Sequence, residues 1–111
     1  MRVVFRRDSR QRLSSVLAEG HVELPETSSD EYSLVCAAVS GILQGARLGM
    51  EAHVKIPLDA TMSAGNLALR WPPSSRDDER LQAIIDTARL AIRQIAAQYP
   101  EHVDYQEETE A

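Results

Sequence analysis

The chain contains a single cysteine, Cys36, in 111 residues. That excludes an internal disulfide framework and fits a reducing compartment, so a cytoplasmic protein is expected. No apolar run approaches the roughly 20 residues of a membrane span. The first residues lack a signal peptide's hydrophobic region, since charge returns by Arg6. No glycine-rich phosphate loop is present, and Ser9, Ser14, Ser15 and Ser40 have no nucleophile-elbow context. His53 and His102 read as surface residues, and one cysteine with scattered histidines does not make zinc-ligand spacing. Neither a metal nor a cofactor is expected. A net charge of −5 and a pI near 5.1 argue against general nucleic-acid binding.

What is present is ordinary for a globular domain: 43% hydrophobic and 26% charged residues, enough for one core and one domain over residues 1–111. The charge is uneven, with Arg2, Arg6, Arg7, Arg10 and Arg12 at the start and an acidic stretch from Glu101 to Glu110. Exposed strand-edge arginines are more often solubilising than a binding surface.

Arg2–Arg7 and Leu13–Glu19 read as an antiparallel hairpin joined by a polar loop. Gly20-His21 releases the chain from the sheet, and residues 22–32 carry no period and read as a mobile loop beside the site. The small and apolar run from Leu34 to Met50 predicts a helix buried on most sides. Its Gly41, Gly45 and Gly49 suggest close approach of a partner element. Two starts fit this helix: Ser33 as N-cap, which is preferred, or Ser28-Ser29-Asp30-Glu31 as a capping box one turn or more earlier. Ala52–Pro57 alternates as a strand, Leu58–Gly65 connects, and Asn66–Trp71 is a fourth strand. Ser75 with Asp78 marks a cap before the clearest helical period, Leu81 to Tyr99, which Pro100 ends. Residues 104–111 form an acidic tail that could add a short strand around Val103–Tyr105. The expected fold is therefore α+β, a two-layer β-β-α-β-β-α domain whose antiparallel sheet carries both helices on one face. Its other face needs solvent-tolerant residues or a second subunit.

With Ser33 as cap, Cys36 stands in the first helical turn, where unpaired N–H groups and the helix dipole favour thiolate. The earlier start would move Cys36 into the second turn and lose part of that benefit. His21, at a strand end next to a loop, is the partner such a thiolate needs. A lone helical cysteine is more often a small buried hydrophobe, so position and partner carry the functional reading. The expected site is Cys36 and His21 as catalytic pair, with Gly20, Val22 and Ser33 lining the substrate and amides of the Ser33–Cys36 turn as oxyanion donors.

Gly20-His21, a loop, and then Leu34-Val35-Cys36-Ala37-Ala38-Val39-Ser40 resemble the ribosomal-processing cysteine protease (Prp) family. Gln98-Tyr99-Pro100 followed by Glu101-His102-Val103 resembles that family's C-terminal pattern. The resemblance implies a small α/β homodimer that removes a short N-terminal extension from a large-subunit ribosomal protein, with Cys36 as nucleophile and His21 as general base. Val22 stands where the family has a small residue, and Ser33 where it commonly has aspartate. These departures motivate a second reading, a non-catalytic peptide- or ribosome-binding homologue. A third, weaker one is a redox-sensing thiol.

Overall fold

The computed structural model describes residues 1–20, 30–63 and 65–110. Strand β1 (Arg2–Arg7) and strand β2 (Leu13–Glu19) form the expected hairpin. Its loop is built on Asp8, whose carboxylate accepts the amide N–H groups of Arg10 (2.9 Å) and Arg12 (3.0 Å). Those two bonds close the turn around Gln11, which sits at φ 66°.

Helix α1 runs Asp30–Gly49, so it begins ahead of the preferred Ser33 cap, and Asp30 to Tyr32 belong to the helix rather than to a loop. The rest of the proposed mobile loop, with His21 and Val22, lies outside the described residues. By length and mean hydropathy, 1.3, the helical stretch Glu31–Val54 passes as a candidate membrane span. This corrects the expectation that no run is long or apolar enough. Its burial is one-sided, however. Val35, Cys36, Val39, Leu43 and Met50 are buried, whereas Leu34, Ala37, Ala38, Gly41, Gly45 and Leu48 face outward. The expectation of burial on most sides therefore fails. So does close approach at Gly41 and Gly45, where an added Cβ would meet nothing within 4 Å; at Gly49 it would meet Ile84 at 3.6 Å, an ordinary van der Waals contact.

Beyond Gly49 the chain continues as a π-helical turn, Met50–Val54, closed by the Lys55 N–H on the Met50 carbonyl (3.0 Å). The alternation of Ala52–Pro57 is therefore not a strand. Val54, Ile56 and Leu58 do turn toward the core, and one-sided burial alone produced the period. The strand β3 is Asp59–Ser63, in the stretch read as a connection. As an edge strand it is largely exposed and lacks a strong apolar pattern. It pairs with β4 (Asn66–Arg70).

Helix α2 (Glu79–Gln98) carries the expected buried line Leu81, Ile85, Ala88, Ile92 and Ala96. Its cap is Asp78, which accepts the Arg80 and Leu81 N–H groups, and not Ser75, which lies in a short 3-10 turn. Strand β5 (Asp104–Thr109) replaces the expected fraying tail. It pairs parallel with β1, so the sheet, ordered β3-β4-β2-β1-β5, is mixed. Parallel pairing lays the acidic end along the basic beginning: Glu108 meets Arg6, and Glu107 meets Arg7.

One sheet face, with Val3, Phe5, Val16, Ala18, Leu67 and Leu69, packs on both helices. On the other, the register sets Thr61, Ala68, Leu17, Val4 and Gln106 in a row. Val4 is fully buried there, between the pairs Arg2–Glu19 and Arg6–Glu108. Exposed ion pairs contribute about 0–1 kcal/mol each. The aliphatic stems they hold in place are what shield this face from water.

Candidate active site

Cys36 is the seventh residue of α1 and therefore stands in its second turn. The 3.6-residue repeat pairs its N–H with the Tyr32 carbonyl, as it pairs those of Leu34 and Val35 with Asp30 and Glu31. These amides are consequently spent inside the helix, and the expected oxyanion donors at the Ser33–Cys36 turn do not exist in that form. Ser33 sits half-buried within the first helical turn and is not its cap. The thiol has no exposed surface.

What surrounds the thiol was only partly legible. Tyr32 stands one turn before Cys36, and its phenol hydroxyl interacts electrostatically with the thiol. The same hydroxyl donates to the Gly20 carbonyl at 2.9 Å. Burial first, and then the neighbouring Cys36 side chain, raise the Tyr32 pKa above the usual tyrosine value of 10.0. Gly20 ends β2 at φ +93°, a left-handed conformation that L side chains rarely adopt, and a Cβ there would stand 3.4 Å from the Met1 Cα. Glycine is thus required where the chain turns out of the sheet toward His21.

Behind Tyr32 stands His102, edge-on at 5.5 Å between ring centroids, and stacked in turn on Tyr99 at 6.4 Å. The Met1 nitrogen donates to the His102 carbonyl at 2.8 Å and to the Tyr32 hydroxyl at 3.4 Å. The His102 Nε2 lies 2.9 Å from a Glu31 carboxylate oxygen and 3.6 Å from one of Glu101. These three side chains bring potential metal ligands within 4.8 Å of one another, a juxtaposition the linear spacing did not reveal. His102 is therefore no isolated surface residue; its side chain is 15% exposed. The i, i+4 spacing of Tyr32 and Cys36 was the available signal for the phenol. Nothing local pointed to His102, which reaches the site only because β5 returns beside β1.

Farther along α1, Ser40 and Gln44 line a cleft of about 230 Å³ with Ala18, Met62, Asn66 and Leu67. A wider apolar groove, about 560 Å³, runs between α1 and α2 and contains none of the expected site residues. The arrangement combines a thiol, a neutral phenol and a strand end that leads into a histidine, beside a narrow cleft. That combination suits nucleophilic chemistry on an extended chain.

The family model for cysteine protease Prp matches residues 1–104. Three solved structures share the fold. SMU.848 from Streptococcus mutans is 23% identical with a TM-score of 0.87, covering 98% of this chain and 97% of that one. The essential ribosomal processing protease Prp from S. aureus in complex with a substrate peptide is 18% identical, with a TM-score of 0.82. The same protease with a covalently linked product peptide is 19% identical, with a TM-score of 0.80. Each of these two comparisons covers 96% of this chain and 97% of the other. No curated protein matches by sequence.

Proposed function

The chain belongs to the cysteine protease Prp family, and from that premise we propose that it cleaves a short N-terminal extension from a large-subunit ribosomal protein. Cys36 is the nucleophile and His21 the general base. His21 takes the thiol proton, Sγ attacks the scissile carbonyl, and the protonated imidazole returns that proton to the leaving amine. A water deprotonated by His21 then breaks the thioester, releasing the carboxylate product and the thiol. The observation that carries this reading is the hydrogen bond from the Tyr32 hydroxyl, one helical turn before Cys36, to the carbonyl of Gly20. His21 follows Gly20 directly in the sequence. The cleft beside Ser40 and Gln44 supplies a path for the substrate segment.

Two further parts of this reading are a cytoplasmic location, which suits an unpaired thiol, and a homodimer. The outward stripe of Leu34, Ala37, Ala38, Gly41 and Leu48 supports the dimer. Sedimentation tests it: Ala38→Glu should yield monomer, and an unchanged sedimentation coefficient removes this face from any dimer.

The function is tested by incubating the protein with an N-terminal peptide of a large-subunit ribosomal protein and reading products by mass spectrometry. Wild type should cleave once, while Cys36→Ala and His21→Ala should lose cleavage by at least about 100-fold, the usual size of a general acid–base contribution. Cleavage that survives Cys36→Ala removes the mechanism. The complete burial of Cys36, together with Ser33 and Val22, favours the second reading, a non-catalytic homologue that holds the peptide. Its signature is wild-type binding of that peptide without any product.

A further inference from the structure

Met62 lies on the edge strand β3 and is 58% exposed, yet two nitrogen donors from α1 hold its sulfur. The Gln44 Nε2 donates to Sδ at 3.1 Å and the Arg47 Nη1 at 3.4 Å. Arg47 keeps its Nε for Glu51, at 3.1 Å, so Nη1 is the arm it turns to β3. A thioether is a weak acceptor, and a charged guanidinium and an amide together gain little from it. The other two methionines are placed differently: Met50 is fully buried, and Met1 is partly buried against the core.

Oxidation would turn this weak acceptor into a strong one. A sulfur lone pair of Met62 attacks hydrogen peroxide, the O–O bond breaks, an S–O bond forms and water leaves. The sulfur loses two electrons to the peroxide and becomes a sulfoxide. The new oxygen carries partial negative charge and can accept from Arg47 and Gln44 together. Hydrogen bonds from an ionised donor are roughly twice as strong as neutral ones. Because the methionine side chain is unbranched and flexible and this one faces solvent, Sδ can draw back to make room for the oxygen. In an apolar core the same change is disruptive; here the polar product meets donors already in place. We propose that Met62 is a peroxide modification site, whose sulfoxide is held by Arg47 and Gln44 and fastens β3 to α1. Met62 is also one wall of the 230 Å³ cleft, facing Ser40, Asn66 and Leu67, so the modification fixes that wall. The proposal stands without the protease reading.

The test treats the full chain with hydrogen peroxide, locates the added oxygen by peptide mass spectrometry and compares amide hydrogen exchange before and after. Met62 should be oxidised ahead of Met50. The β3 amides, Asp59–Ser63, should then exchange about fivefold more slowly, the factor that one net hydrogen bond gives. Arg47→Leu combined with Gln44→Leu should still allow oxidation of Met62 but abolish the slowing. Met62→Leu controls for oxidation of Cys36 or Met1, and its β3 exchange should not respond to peroxide. A Met62 that resists oxidation until Met50 reacts overturns the modification site. Exchange in β3 that is unchanged or faster once Met62 is oxidised overturns the fastening. Slowing that persists in Met62→Leu, or without Arg47 and Gln44, overturns it as well.

Discussion

Asp8 and Arg76, 68 residues apart in the chain, meet as a buried ion pair at 3.3 Å. Arg76 also donates to the Trp71 carbonyl at 3.0 Å, and the Trp71 indole donates to the Leu13 carbonyl at 2.7 Å. The pair thereby clasps the β1–β2 turn to the segment that leads from β4 into α2. This contact is what sets the hairpin against the second half of the molecule.

Removing one partner of that pair strands the other. Arg76→Met should destabilise the protein by about 3 kcal/mol, because the Asp8 carboxylate would lose its buried cationic partner. Urea denaturation checks the size. A loss below about 1 kcal/mol would show that water or Arg12 compensates.

The same carboxylate makes stability depend on pH. Burial pushes the Asp8 pKa up, but the amide N–H groups of Arg12 and Arg10, the Arg76 side chain and the Arg12 charge outweigh it, so the net shift is downward from 3.8. A depressed folded pKa contributes stability that is present above the unfolded value and lost as pH falls through the folded one. Denaturation midpoints should therefore drop on acidification below about pH 4. Asp8→Asn, already less stable at neutral pH, should show a shallower drop; equal slopes would assign acid sensitivity to other groups.

Gly20→Ala places a side chain at φ +93°, 3.4 Å from the Met1 backbone. A cost of about 1–2 kcal/mol is expected for an L residue in the left-handed region. Because Gly20 precedes His21, peptide cleavage should fall by more than thermal stability alone explains, and assays well below the melting point separate the two. Full activity there would mean that the strand exit tolerates reorientation.

Tyr105 buries a hydroxyl that lacks a hydrogen-bond partner among the described residues. Burial, the largest cause, raises its pKa above 10.0. Tyr105→Phe deletes the unsatisfied atom while keeping the ring 6.0 Å from Phe5, so stability should be unchanged or increased. Calorimetry that shows a loss above about 1 kcal/mol would reveal a partner formed in solution.

The sequence by itself determined what depends on neighbours along the chain. The hairpin, β4, α2 with its stop at Pro100, and the α+β class follow from periods and turn residues that act over a few positions. The Gly20-His21 and Cys36 motif was readable in the same way, and it led to the family. Tertiary structure decided what depends on distant partners. Whether Ala52–Pro57 and Asp59–Ser63 are strands turns on which segment finds a hydrogen-bonding edge, and one-sided burial imitates that signal. The start of α1 at Asp30 moved Cys36 from the first turn to the second, since two adjacent capping sequences differ too little locally to choose between. The acidic end became β5 because β1 offered an open edge of opposite charge. That pairing also carried His102 to Tyr32 across 70 residues, a contact no local pattern could contain.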